Sequence, residues 1–74
     1  MSSHFQYFCQ WFKQNHPENY RVDFIKDAQA DDAFPWHEDK DNIVHYLENL
    51  KADPNCIICF LSLYELKNNF RYIV

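Results

Sequence analysis

Residues 53–64, Asp53-Pro54-Asn55-Cys56-Ile57-Ile58-Cys59-Phe60-Leu61-Ser62-Leu63-Tyr64, decide the fold class of this chain. Ile57, Cys59, Leu61 and Leu63 alternate as they would in a strand. Four features favour a helix instead. Asp53 can cap a helix whose first residue is Pro54, a position where a fixed φ and a missing N–H do no harm. The apolar-to-polar stretch continues over residues 55–71, long for a strand. No hairpin turn supplies a second strand, and a lone strand leaves its backbone donors unpaired. A helix apolar nearly all round is what the centre of a bundle requires, with Glu65, Lys67, Asn68 and Asn69 at its wetter end.

The rest of the chain agrees with a helical reading. Ser3 can cap a first helix over residues 4–15, with Gln6 at the capping-box spacing. Phe5, Phe8, Cys9 and Phe12 form one stripe, and Tyr7 and Trp11 widen it. Asn15 can take a left-handed exit before Pro17. A second helix runs from residue 20 to 31 or 32 with Asn19 as cap. It places Val22, Ile25, Ala28 and Gln29 on one face, with Phe24 beside it. Pro35 disfavours helix at Phe34, so the chain leaves in an extended form. Phe34, Pro35 and Trp36 should fold back on the core, leaving His37 to Lys40 wet. A third helix starts at residue 41 or 42 and ends by Ala52, with Ile43, Val44, Leu47 and Leu50 repeating and Tyr46 flanking them. The expectation is an all-α, compact four-helix bundle forming a single domain over residues 1–74. Phe5, Phe8, Phe12, Ile25, Phe34, Val44, Leu47, Ile57 and Leu61 make its core.

Composition excludes several functions. The 74 residues contain no glycine, so Walker A, dinucleotide and kinase phosphate loops and the EF-hand loop are all absent. The net charge of −4 argues against a phosphate-driven nucleic-acid binder. All of it arises in residues 27–41, which carry a net −5 from Asp27, Asp31, Asp32, Glu38, Asp39 and Asp41 against Lys40. The start Met-Ser-Ser-His-Phe is not a signal peptide, and the apolar run over residues 56–64 is too short to span a membrane. Three cysteines, an odd number without secretory context, are expected reduced in a cytoplasmic protein.

The exit from the second helix reads Asp27-Ala28-Gln29-Ala30-Asp31-Asp32-Ala33-Phe34-Pro35. It resembles the Asp-Ala-x-x-Asp-x-x-Phe-Pro signature of the small bacterial YozE-like proteins, which have a SAM-like helical fold. The family's Ser-Phe-Tyr-x-Trp-Leu type of opening is similar to Ser3-His4-Phe5-Gln6-Tyr7-Phe8, with His4 a departure. Its Tyr-Leu pair on the third helix looks like Tyr46-Leu47, and its last aromatic pattern is similar to Phe60 and Tyr64. The resemblance spans residues 3–66 and implies a compact four-helix SAM-like domain; it implies little about activity. The cysteines and residues 70–74 lie outside the pattern. Physically, the signature reads as scaffold. Asp31 or Asp27 can receive backbone donors of the following loop, Phe34 inserts into the core, and Pro35 fixes its direction.

Candidate chemistry is sparse. Cys56-x-x-Cys59 would place Cys56 in the first turn of the fourth helix, where the dipole lowers a thiol pKa. The βαβ context of a redox motif is absent, and zinc would need Cys9 and one of His4, His16, His37 or His45 without paired spacing. Buried structural thiols and no metal are expected. The His37-Glu38-Asp39 run with Asp41 lacks a calcium-loop spacing, and His45 borders a helix face. No catalytic constellation and no cofactor are expected, so the chain reads as non-enzymatic.

The reading that remains is a small protein-interaction module. Fourteen aromatic rings cannot all be buried in a domain this small. Some of Tyr7, Trp11, Tyr20, Trp36, Tyr46, Phe70 and Tyr72 should therefore be exposed as anchors. Trp36, Tyr46 and Trp11, with Asp31, Asp32 and Asp39 at the rim, are the candidate partner-binding residues for a protein partner or a second copy of the chain. Two alternatives stand beside it. One is a nucleic-acid-binding SAM-like domain, which needs Lys13, Arg21, Lys26, Lys67 and Arg71 on one face. The other is an acidic phosphate mimic that inhibits a nucleic-acid-handling enzyme.

Overall fold

The computed structural model describes residues 4–69. These form four helices, α1 (His4–Asn15), α2 (Arg21–Ala30), α3 (Lys40–Asn49) and α4 (Pro54–Asn69), with no strand among the described residues. Segment 54–69 is therefore helical, and its start follows from local chemistry. The Asp53 carboxylate accepts the Asn55 N–H at 2.8 Å, and its carbonyl accepts from Cys56 at 2.8 Å. Pro54 follows that cap without forfeiting a hydrogen bond.

The α1 stripe of Phe5, Phe8, Cys9 and Phe12 is buried as its spacing requires. Tyr7 does not widen it, being 61% exposed, whereas Trp11 is half-buried against the core. The proposed Ser3 cap lies outside the described residues. Asn15 does not take a left-handed exit. Its Nδ2 donates to the Trp11 carbonyl at 2.8 Å, bracing the last turn of α1. At the entry to α2, the Asn19 side chain accepts the Arg21 N–H at 3.0 Å, the capping role expected of it. Val22, Phe24, Ile25 and Ala28 are buried on α2, while Gln29 is exposed and accepts Lys13 Nζ at 2.8 Å.

α4 packs against each of the other three helices, and α1 also packs on α2. Its inner face differs from the expected one. Phe60 and Leu63 are fully buried, Ile57 is half-buried, and Leu61 is 39% exposed. On a helix, residues 56, 60, 63 and 67 fall on one line, whereas the strand-like alternation of residues 57, 59, 61 and 63 wraps around it. Because α4 is apolar on several sides, its neighbours select the face. Phe60 meets Phe5 edge-on with ring centroids 5.3 Å apart and lies 6.0 Å from Phe24. On α3 the same rotation buries Ile43 and Leu47 and leaves Val44 half-buried and Leu50 57% exposed. Phe34 enters the core as expected.

The turn from α3 to α4 carries the one left-handed residue among those described, Lys51 at φ 57°. Lys51 N–H donates to Glu48 O at 3.0 Å and Ala52 N–H to Leu47 O at 3.1 Å, the two bonds of a Schellman ending. Glycine normally occupies this position, and a chain without glycine must hold a lysine there.

Two stability measurements follow. Phe60→Ala should cost about 3–5 kcal/mol in denaturant unfolding, the range for a buried ring, while Leu61→Ala should cost under about 1 kcal/mol. Equal losses would contradict the observed face of α4. Lys51→Gly should raise stability by about 0.5–1 kcal/mol, because relief of the left-handed strain outweighs the added freedom of the unfolded chain.

Candidate protein-docking groove

The Asp31 side chain organises the corner between α2 and α3. As the C-cap of α2, its backbone leaves the helix at φ −96°, ψ 103°. Its Oδ1 accepts the Ala33 N–H at 3.0 Å and its carbonyl accepts the Phe34 N–H at 3.0 Å, closing the turn that aims Phe34 inward. Its Oδ2 accepts the hydroxyl of Tyr46 from α3. The Phe34 ring centroid in turn lies 4.5 Å from that of Trp36, tilted to it, and 5.8 Å from that of Tyr46, edge-on. The expected loop-closing role thus falls to Asp31, with Asp27 left free for the surface one turn earlier.

This corner redefines the expected binding residues. Trp36, Tyr46 and Trp11 are half-buried and packed against the core. Trp36 bridges Phe34 and Phe5, and Trp11 lies between Phe8 and His16. Asp39 is the N-cap of α3, its carboxylate accepting the Asn42 N–H at 2.9 Å. Glu38 Oε2 accepts from Asn42 Nδ2 at 3.4 Å. Asp32 is exposed beside the corner. Among the described residues the exposed tyrosine, tryptophan and phenylalanine rings are Tyr7 and Tyr20, each 61% accessible. Phe70 and Tyr72 lie outside the described residues.

The concave surface is elsewhere, between α2 and the start of α4. A groove of about 290 Å³ is floored by Phe24, Ala28, Phe34 and Leu47, with Cys56 on its α4 bank. Leu50 and Ala52 from the Schellman turn line it as well, and the exposed Asp27 and Asp53 and the half-buried Asp31 border it. A second cleft of about 250 Å³ continues from it, sharing Phe24, Asp27 and Cys56 and adding Tyr20, Asp23 and Cys59. Sequence reasoning missed Leu50 as a surface anchor and named Tyr20 only as one of seven rings of which some should be exposed. Leu50 fits the α3 core repeat, and only the turn at Lys51 shows that the helix has ended before this residue can be covered.

The thiols lie in this setting. All three cysteines are free. Burial pushes the Cys9 thiol up to about 12. Cys56 is also held above the ordinary thiol value, first by desolvation and then by Asp27, Cys59 and Asp53. The lowering expected from the helix dipole is overridden, because neighbouring carboxylates and partial burial both disfavour a thiolate. Among the described residues no group of three or more His, Cys, Asp and Glu side chains is placed to hold a metal ion. His45 pairs loosely with Glu48 at 3.7 Å on the exposed side of α3.

Of the cations that a nucleic-acid interface would need, Lys13, Arg21 and Lys67 are engaged with separate partners, while Lys26 is exposed on α2. Arg21 donates through Nε to Ser62 at 2.8 Å, and its guanidinium lies 4.7 Å from the Tyr20 ring centroid. Lys13 bonds to Gln29, and Lys67 sits over the Tyr64 ring. Arg71 lies outside the described residues. No helix among those described is long and apolar enough to cross a membrane.

The Asp31–Tyr46 bond has a measurable signature. Accepting the Tyr46 proton, with desolvation and the Asp31 charge adding to the effect, holds the phenol above its ordinary value of 10. A phenol whose folded pKa is raised contributes stability that is complete below pH 10 and lost as pH rises through the folded value. Ultraviolet titration should therefore show a late-ionising phenol, and Asp31→Asn should lower its pKa. If the late phenol persists in Asp31→Asn, the bond does not govern it.

No curated protein and no solved structure matches the chain. A family model described as the YozE SAM-like fold matches residues 3–68, which include the Asp31–Phe34–Pro35 corner, the Tyr46-Leu47 pair and the aromatic face of α4, and the chain belongs to that family.

Proposed function

We propose that this domain is a non-enzymatic protein-interaction module whose docking surface is the groove between α2, the α3–α4 turn and α4. One observation carries this reading. The two adjoining clefts have a largely apolar floor, and the exposed Leu50 lines one and the exposed Tyr20 the other. Large side chains beside a concave apolar surface are the usual anchors of protein recognition. Of the aromatics first singled out, Trp36 and Tyr46 back this surface through Phe34, whereas Trp11 packs on Phe8 and His16.

The nucleic-acid reading is weaker, because Lys13, Arg21 and Lys67 are occupied by intramolecular partners on three different helices. A phosphate mimic requires the residue 27–41 acids to act as one surface. Asp27 and Asp31 line the groove, while Asp39 is committed to capping α3.

The test is site-specific photo-crosslinking from native extract. A benzophenone amino acid at Tyr20 or Leu50 should yield protein adducts, and the same group at the equally exposed Tyr7 should not. Nucleic-acid adducts, or equal protein labelling from Tyr7, would overturn the proposal.

A further inference from the structure

We infer that the groove takes a short amphipathic helix of a partner protein, with lysine or arginine flanking its apolar stripe. This rests on the reading of the groove as a docking surface and specifies the occupant.

The argument begins with the periodicity of α2. Asp23, Asp27 and Asp31 recur every four residues and form one row, about one helical turn apart. Tyr20, Phe24 and Ala28 form the adjacent row with the same period. Both rows line the paired clefts, which are continuous through Phe24, Asp27 and Cys56. On the opposite bank, Asp53 stands at the start of α4, beside Ala52 and Leu50. The charged side chains lining the two clefts are all aspartates, Asp23, Asp27, Asp31 and Asp53; no lysine or arginine lines either. Lys26, next to Asp27 in sequence, is exposed on α2 but lines neither cleft, and Arg21 is directed to Ser62 and Asn19. An apolar trough with anionic edges is complementary to an apolar stripe with cationic edges.

The shape of the occupant follows from the backbone. The rows span residues 20–31, about 16 Å of helix or three turns. Both banks are helices, whose mid-helix N–H and C=O groups bond within the helix. An extended peptide would enter an apolar trough with its own amides unpaired, whereas a helix carries its hydrogen bonds with it. Basic residues one turn apart on that helix match the one-turn spacing of the aspartate row.

The experiment uses the full chain and defined probes. Two Leu-based amphipathic peptides of about 14 residues, long enough for the three turns, carry either Lys or Glu at the polar positions. In calorimetric titration the Leu/Lys peptide should bind, and the Leu/Glu peptide should be at least ~tenfold weaker. Asp23→Asn with Asp27→Asn should weaken the Leu/Lys peptide ~tenfold and flatten its salt dependence. Asp32→Asn with Asp41→Asn changes net charge equally and should leave affinity within ~twofold. Leu50→Ser should weaken binding without altering the charge, which keeps the test decisive if the aspartate variant folds poorly. A proline-interrupted Leu/Lys peptide of the same composition should lose binding. Equal effects of the two aspartate pairs, equal binding of the Glu peptide or the proline-interrupted one, or no binding of the Leu/Lys peptide would overturn the inference. Groove-specific crosslinks to a protein, combined with any of those results, would overturn only the occupant and leave the docking surface standing.

Discussion

Phe60 joins three helices through one ring. Its edge meets Phe5 of α1, its other neighbour is Phe24 of α2, and one turn further along α4 Tyr64 packs against both it and Phe5. Aromatic pairs in tilted and edge-on arrangements contribute beyond the area they bury. In a chain of 74 residues, with little core to spare, such a hub determines where each helix can lie. The central position of α4 follows from it, and the groove lies beside it, because Phe24, one of the ring's partners, lines both clefts. The closure that fixes the core therefore also sets the shape of the surface that stays open.

Asp31 links this core to that surface. The carboxylate closes the turn behind α2, receives the Tyr46 hydroxyl from α3 and stands on the groove edge. Phe34 and Trp36 then pack inward along the path this turn sets. Asp27, one helical turn earlier, has no such structural duty and is exposed. The two matched aspartates of the Asp-Ala-x-x-Asp-x-x-Phe-Pro stretch thus differ in kind. The second holds the corner, and the first is available to a ligand. The Asp31–Tyr46 bond also ties α3 to α2 beside the groove, so an occupant pressing on Leu47 or Leu50 would act on the same corner.

Much of this was legible in the chain. The α1 stripe, the Asn19 and Asp53 caps, Pro54 at the first helical position and the inward Phe34 depend on neighbours within a few residues, and local sequence specifies them. The acidic bias near the end of α2 was equally plain, because net charge is additive. The candidate anchors were less legible. A tryptophan or tyrosine looks the same in sequence whether its ring packs sideways on a core, as Trp36 does, or stands free, as Tyr20 does.

By itself the sequence determined that the chain is helical, where α1, α2 and α4 start to within a residue, and that no glycine-dependent phosphate or calcium loop can form; α3 starts at Lys40, earlier than the sequence reading placed it. Tertiary structure decided which side of α4 is inner. That helix is apolar on several sides, so its own periodicity is degenerate, and contact with Phe5 and Phe24 broke the tie toward Phe60 rather than Leu61. Tertiary structure also decided that Asp39 caps a helix while Asp23, Asp27 and Asp53 line an apolar groove. Charge is carried by the residue, but which charges share a surface depends on how two helices distant in sequence are brought together.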